Sequence, residues 1–366
     1  MSGIAKTRPP EQRGGNRGRK GTTKRRHVGA CVAGLAVLAG AALPLAMTTP
    51  ASAASAPDPS GDMAYVVNHD ADTVSVINTW YPSITDTIKV GQQPENVATL
   101  PDHSRAYVTN SGDGTVSVID TGTNKVIGKP IEVGSDPEGL AVSPDGSRLY
   151  VANHGANTIS AINTATDKVI GKPIKVGSEP YSVAVAQTGD LAYVTNYGSN
   201  SVSVIDTQAN KVIGKPIKVG QGPRGVAASP DLNRVYVTNS AAGTVSVIDN
   251  GKVTATLTAG ASPQAVTTTP DGNLVFVANA NSQNVTVISD DNAEVIKNVD
   301  VGKEPQGMTV NPAGSRLWVA NKESNSLSEI DVTSANFPVV QTMKNVPSPT
   351  GMAMGPFQDT PDTPPS

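Results

Sequence analysis

Cysteine is all but absent from this chain. The single one among 366 residues, Cys31, lies at the start of an N-terminal apolar run. The rest of the sequence therefore has no thiol, no disulfide and no cysteine-based metal site. Histidine is scarce as well: beyond the N-terminal segment there are His69, His103 and His154, each in a different stretch. Scattered in that way, they read as surface residues rather than as a metal set. There is no phosphate-binding glycine loop, no H-E-x-x-H and no G-x-S-x-G. The usual signatures of nucleotide binding, zinc proteolysis and serine hydrolysis are thus missing. Nor does the main body show a helical period over the roughly 11 to 18 residues that would define a helix.

What is there begins with an export signal. Residues 1 to 26 are polar and basic, an Ala/Gly/Leu/Val run extends from Val28 to Met47, and Pro50-Ala51-Ser52-Ala53 supplies an A-x-A cleavage pattern. The alternative is an uncleaved anchor, since the run approaches spanning length; its weak hydrophobicity and the A-x-A site favour cleavage. Arg25-Arg26 leaves open whether the route is twin-arginine or general secretion. Residues 1 to 53 hold nine of the 28 Lys/Arg and one of the 31 Asp/Glu, so cleavage leaves 19 basic against 30 acidic residues, a net of −11. A field of that sign repels polyanions, and the body has no basic cluster, so nucleic acid is not an expected partner. The mature chain is expected to be secreted or cell-surface associated, monomeric and off the membrane.

After a Pro/Ser linker at 54–61, one pattern repeats. An aromatic-Val-x-Asn or related box ends at Asn68, Asn110, Asn153, Asn196, Asn239, Asn279 and Asn321, at spacings of 42, 43, 43, 43, 40 and 42. A fixed period of this size marks a repeat architecture. Each unit holds four short apolar runs separated by turn residues; in the second, these are Ala106 to Asn110, Thr115 to Asp120, Lys125 to Val133 and Gly139 to Ser143. Four strands per unit specify a β-propeller blade. The small Gly-Leu-Ala-Val-Ser run suits the crowded axis and is the innermost strand. The run with Pro130, Pro173 or Pro216 is the rim, because proline is confined to sheet edges and bulges. The first repeat (Met63 to Asn68, Thr73 to Ile77, Thr87 to Val90) lacks an inner strand, whereas Thr350 to Gly355 is an inner strand with nothing after it. The C-terminal strand should therefore complete the first blade. The expected fold is an all-β, seven-bladed propeller over 62–356. Its repeats lie near 63–104, 105–147, 148–190, 191–233, 234–273, 274–315 and 316–356, and a disordered Pro-rich tail follows at 357–366.

The Y-V-T-N boxes at Tyr107, Tyr193 and Tyr236, each followed by V-S-V-I-D and then by the V-G-x-x-P and S-P-D-G elements, resemble the YVTN-repeat (YncE-like) seven-bladed propellers. The resemblance covers 62–356. The last blade departs most, with Trp318 for Tyr and Val346-Pro347 for Val-Gly. The resemblance implies a secreted or surface-layer protein. It also brings in a DNA-binding relative and, more loosely, lactonases and lyases. It fixes the fold and leaves the activity open.

Function should sit where the repeats differ. The Asn of each box and the Asp of each V-I-D recur, and read as side chains bonding turn backbone. The loop carboxylates Asp70, Asp72, Asp290 and Asp291 lack the glycine-bearing loop of a calcium hand. The residue after the proline that opens each inner strand varies freely: Glu95, Glu138, Tyr181, Arg224, Gln264, Gln306, Thr350. So does the residue after each box: His69, Ser111, His154, Tyr197, Ser240, Ala280, Lys322. Unlike polar and aromatic groups around a concave mouth suit a binding site, whereas solvated loop positions are the plainer reading. Pairing the two sets blade by blade puts Glu138 with His154, Tyr181 with Tyr197 and Thr350 with His69. A ligand is expected over blades 2 to 5, touching Glu95, Glu138, His154, Tyr181, Tyr197 and Arg224.

Near-identity of blades 2 to 4 points to a non-catalytic module that binds a small molecule, a glycan or a protein, with no cofactor. The alternative is a metal-dependent hydrolase or lyase, lactonase-like, with a divalent ion at Glu95, Glu138 and His154. Export carries its own test: protein collected from culture medium should begin near Ala54 on N-terminal sequencing, and a full-length chain found solely in membranes would overturn it.

Overall fold

Short β-branched runs end at residues that can turn the chain back. In the second repeat the turns close on Gly114 (φ 67), Asn124 (φ 52) and Gly146 (φ 71), all in the left-handed region. Strands Pro94–Thr99, Arg105–Asn110, Thr115–Asp120 and Lys125–Glu132 result. They pair antiparallel in that order, from axis to rim. The computed structural model describes residues 62–230 and 234–357. The expected export segment and linker, and the expected tail from 358 on, lie outside the described residues, whereas Phe357, expected in the tail, ends the last strand.

Seven such sheets follow one another, each of four strands except the third, whose rim strand is broken into Lys168–Val169 and Ile174–Lys175 around Gly171-Lys172-Pro173. The equivalent prolines at 130 and 216 sit in rim strands whose pairing slips at Val116/Val118 and Val202/Val204. A residue without an N–H is tolerated there because the far edge faces solvent. The rim strand of the first blade starts earlier than expected, at Ser83. The Asn78 carboxamide oxygen accepts the Trp80 and Tyr81 N–H groups and caps the turn, so pairing resumes at once.

The ring closes as the sequence implied. Pro349–Phe357 pairs antiparallel with Asp62–Asn68, Tyr65 opposite Ala353. Each inner strand touches the inner strands on either side, ending with Pro349–Phe357 against Pro94–Thr99. The fold is a seven-bladed β-propeller, almost entirely β; the two short exceptions are single 3₁₀ turns at His69–Ala71 and Tyr197–Ser199. Both faces of each blade are buried. Ile119 packs with Met63 and Tyr65 of the preceding blade, whereas Val116 and Val118 pack with Leu149 and Val151 of the next. At Gly139 the neighbouring inner strand comes so close that a side chain is excluded. A Cβ on Gly139 would lie 2.8 Å from the Ser182 Cα.

Two side-chain devices recur. The first is the box asparagine, fully buried in all seven blades. It does more than bond turn backbone: Asn110 Nδ2 donates to the hydroxyls of Thr115 (3.1 Å) and Ser117 (2.9 Å) on the next strand, and its Oδ1 accepts the Gly91 N–H (3.2 Å). At Asn68 the facing residue is Pro347, which has no N–H. There the amide is turned over, Nδ2 donating to the Pro347 carbonyl at 3.2 Å. The second device is the box tyrosine, whose hydroxyl reaches the outer turn of the following blade. Tyr65 donates to Asn124 (2.7 Å), Tyr107 to Asp167 (2.9 Å), Tyr150 to Asn210 (3.3 Å) and Tyr236 to Asp290 (2.6 Å). The V-I-D aspartates cap those turns, as expected: Asp120 Oδ1 accepts the Thr123 N–H at 2.9 Å.

Ring closure through the last strand makes the whole domain depend on it. A chain ending at Asn345 should lose its cooperative thermal transition, whereas one ending at Phe357 should keep it. Equal melting of the two would show that closure is made elsewhere.

Candidate functional site at the channel mouth

The V-G-x-x-P loops carry the chain from rim to axis with a sharp bend just before each proline. The residue there is left-handed in every blade: Gln93, Asp136, Glu179, Gly222, Ser262, Glu304 and Ser348 have φ between 40 and 62. Six of the seven are not glycine, a conformation that costs about 1 kcal/mol or more for each. The bend is pinned from the neighbouring loop. The residue after each box donates its N–H to this residue's carbonyl, as His154 does to Asp136 (2.9 Å) and Tyr197 to Glu179 (2.8 Å). The Thr of Y-V-T-N then fixes the residue after the proline in the following blade. Thr109 Oγ1 donates to the Glu138 carbonyl (2.7 Å), Thr195 to that of Arg224 (2.6 Å) and Thr238 to that of Gln264 (3.0 Å).

These restraints set the variable side chains around the mouth of the central channel. The channel cavity is about 260 Å³, with Glu95, Glu138, Tyr181, Gln264, Gln306 and Thr350 among its lining residues. Deeper in, Val97, Leu140, Val183 and Met308 line it, so a polar mouth opens on an apolar shaft.

The charges are arranged in pairs. His69 Nδ1 lies 3.0 Å from Glu95 Oε1, and 3.3 Å from the Pro94 carbonyl. The Glu95 hydrogen bond, outweighing partial burial, raises the His69 pKa. His154 Nδ1 lies 3.1 Å from Asp136 Oδ2, and its ring meets Tyr181 edge to face at 6.2 Å. Arg224 stacks over Tyr181 (4.6 Å to the ring centre) and reaches Tyr197 (5.5 Å), with Nη1 donating to the Tyr181 hydroxyl (3.2 Å) and to Gln264 Oε1 (2.5 Å). Its Nε–H is buried without an acceptor among the described residues. Burial, then the Glu138 charge, pushes the Tyr181 phenol well up, keeping it neutral. Glu138 itself has no ion-pair partner among the described residues. Desolvation first, then repulsion from Glu95 and Asp136, push its carboxyl up to about 8.

The expected pairings are corrected in three places. His154 goes to Asp136, not to Glu138, because the bent Asp136 backbone already holds the His154 loop. His69 crosses to Glu95 of the next blade rather than staying with Thr350, whose hydroxyl donates to the Glu95 carbonyl at 2.9 Å. Tyr181 and Tyr197 are not free anchors, since Arg224 lies against both. His69 and His154 are also not plain surface residues; each is held by a carboxylate on this face. Asp136 escaped notice, although it occupies the bend before a ring proline, as Gln93 and Glu179 do. As for a metal, Glu95, Glu138 and His154 do not converge on one point. No group of three or more His, Asp or Glu residues among the described ones is placed to hold an ion.

A seven-bladed propeller with acid, base and guanidinium groups at one channel mouth defines a class with enzymes in it. The sequence profile described as "Lactonase, 7-bladed beta-propeller" matches residues 78–355, and the chain belongs to that family. Among solved structures, Kuenenia stuttgartiensis hydrazine synthase is similar at 25% identity over 69% of this chain and 86% of that one, with a TM-score of 0.61. A 6-phosphogluconolactonase candidate from Bacteroides uniformis (14% identity, 80% and 99% coverage, TM-score 0.70) and another from Bacteroides fragilis (17%, 81% and 99%, 0.69) share the fold. No curated protein matches the chain. Family membership overturns the non-catalytic reading. Near-identity of blades 2 to 4 lies in their strands and turns, whereas the mouth residues of those same blades differ.

The His69–Glu95 contact can be read directly. Because the pKa of His69 is raised above its ordinary value of 6.5, the pair adds stability that is complete below that value and is lost as pH rises through the folded-state pKa. In an NMR titration His69 should protonate above 6.5, and Glu95→Gln should bring it down. No change in the variant would mean that the imidazole and carboxylate do not interact in solution.

Proposed function

We propose that the chain is a lactonase-like hydrolase acting at this mouth. The observation that carries the reading is Glu138, a half-buried carboxyl held near neutrality among Glu95, Asp136 and Arg224, in a chain of the lactonase propeller family. A carboxyl poised there is a suitable general base. As the carboxylate it takes a proton from a water, whose oxygen attacks the lactone carbonyl. The resulting oxyanion faces the buried Arg224 Nε–H, which has no acceptor among the described residues. The ring C–O bond then breaks, and the leaving oxygen takes the proton back from Glu138. The product is the open hydroxy acid. No step is routed through a metal, since the residues do not form a ligand set for one. His154, Tyr181 and Tyr197 act on Arg224 and on the shape of the mouth, so the ligand again lies over blades 2 to 5.

The substrate class that suits this mouth is a small polar lactone, such as an aldonolactone. Hydroxyls would find Gln264, Gln306 and Asp136, and an acid group would find the guanidinium. On this reading the Y-V-T-N boxes support a kinship with the YVTN-repeat propellers, and the expected export signal supports work outside the cell. Three carboxylates at the mouth disfavour nucleic acid there.

Titrimetric assay of the purified protein on δ- and γ-aldonolactones tests the reading. Activity should rise with pH through a limb near 8, and Glu138→Gln should lower kcat by about 10²- to 10⁴-fold and remove the limb. Absence of turnover on every lactone, or a variant as active as the parent, would overturn it.

A further inference from the structure

The opposite face holds a second cavity, and the propeller's own repetition shows what fits it. At four seams a tyrosine hydroxyl donates to an Asn or Asp in the outer turn of the following blade, as described above. At two of them, Tyr107–Asp167 and Tyr236–Asp290, the acceptor is a carboxylate that also receives an arginine, Arg105 (2.9 Å) or Arg234 (3.3 Å). The seam between blades 4 and 5 departs in both respects. Leu191 stands where blades 2, 3, 5 and 7 have Arg105, Arg148, Arg234 and Arg316, a position that is also apolar in blades 1 (Met63) and 6 (Leu274). The outer turn of blade 5 is also cut short. Asp120 pairs with Lys125 across the four residues Thr121-Gly122-Thr123-Asn124, but Asp249 pairs with Lys252 across Asn250-Gly251 alone. With φ of 49 and 72, Asn250-Gly251 forms a tight two-residue hairpin turn that cannot reach the neighbouring blade.

Tyr193 is the tyrosine left behind. It is half-buried, where Tyr65, Tyr107, Tyr150 and Tyr236 are at most 1% exposed, and its hydroxyl has no hydrogen-bond partner among the described residues. In place of the missing turn is a cavity of about 580 Å³, well within the range of small-molecule sites. Leu191, Val204, Ile213, Ile217 and Val235 line it along with Tyr193. Ile213 is left 42% exposed there, whereas its counterparts Ile127 and Ile170 in blades 2 and 3 are half-buried. Lys215, Arg234 and Asp190 supply its charges, two positive and one negative. Asp190 and burial both raise the Tyr193 pKa, burial more, so the phenol remains a donor.

We infer that this seam is a binding site, separate from the channel mouth, for a small organic carboxylate with an apolar body. The carboxylate takes the acceptor position that Asp167 and Asp290 fill at their own seams. It receives the Tyr193 hydroxyl and is drawn by Lys215, since Arg234 is already paired with Asp290. The apolar body covers Leu191, Ile213 and Ile217. The site does not depend on the lactonase reading, because it shares no residue with the mouth.

The probe is 2-naphthoate, titrated into the whole protein by calorimetry. Saturable 1:1 binding is expected, with naphthalene-2-methanol about tenfold weaker or worse, since it lacks the charge that strengthens the hydrogen bond. Tyr193→Phe, which keeps the ring, should weaken 2-naphthoate about tenfold. Ile213→Glu, on the open rim strand, should weaken it as well, by repulsion and loss of apolar cover. Replacing Asn250-Gly251 by Thr-Gly-Thr-Asn restores the long turn and should abolish binding while raising the melting temperature. Arg224→Leu, at the mouth, should leave binding unchanged. The inference is overturned if the parent shows no binding at millimolar probe, if the alcohol binds as well as the acid, or if Tyr193→Phe and the restored turn both bind undiminished. Loss of binding in Arg224→Leu alone would also overturn it, by placing the acid at the mouth.

Discussion

The structure depends on a buried amide. In each blade the box asparagine is withdrawn from water, where an unpaired buried polar group costs about 1 to 3 kcal/mol. The amide oxygen accepts a loop glycine N–H at Asn110, Asn196 and Asn279 and is without a partner among the described residues at Asn153, Asn239 and Asn321. Asn110 ties the Thr115 and Ser117 hydroxyls on one side and the Gly91 N–H on the other. The side chain thereby joins three segments: the second strand, the third strand and the loop leading into the blade's own inner strand. The approach is so close that a Cβ on Gly91 would sit 2.6 Å from the Asn110 Cγ, so this glycine answers to contact rather than to backbone angle. The Y-V-x-N and V-G elements recur together because each is shaped to the other.

That clamp fixes where the loops end and leaves free what they carry. With the backbone of the Pro-x segment held by the asparagine, the bend and the box threonine, the side chain at x contributes little to the fold. Glu, Tyr, Arg, Gln and Thr can occupy one structural position in different blades. The result is a sevenfold scaffold with an asymmetric mouth. Its charges then settle among themselves. Glu95 and Asp136 each take a histidine, Arg224 is held between two phenol rings and Gln264, and Glu138 is left to bear the repulsion of the other two carboxylates in a poorly solvated place. A raised carboxyl is what that distribution requires.

The period, the four strands per unit, the rank of the strands and the closing of the ring by Thr350 to Gly355 were all legible, because they follow from turn residues, proline placement and counting. The ring of variable residues was legible too, as the positions where near-identical repeats differ. Which side chains meet at the mouth was not. His69 to Glu95 and His154 to Asp136 depend on which way a bent loop aims its side chain, and the repeat pattern says only which blade a residue belongs to. The same limit misjudged Tyr181 and Tyr197, adjacent to each other in the pattern but separated in space by the guanidinium of Arg224. Likeness among blades 2 to 4 was read as the mark of a passive array. It is the mark of a shared framework, and says nothing about side chains that the framework does not constrain.

The one irregular spacing, 40 residues between Asn239 and Asn279, was visible from the start. Its meaning needed the fold, because a deletion in one blade's outer turn is felt by the tyrosine of the blade before it. The propeller tolerates the loss because its two faces are secured by different residues. At the seam between blades 4 and 5, the Ser240 N–H still holds the Gly222 carbonyl (2.8 Å), and Thr195 still holds the Arg224 carbonyl (2.6 Å). The mouth of the channel is therefore built as at the neighbouring seams, although the tyrosine lock on the other face is gone. A scaffold secured twice over can give up one fastening at one seam, and the space so opened lies where it does not disturb the residues at the mouth.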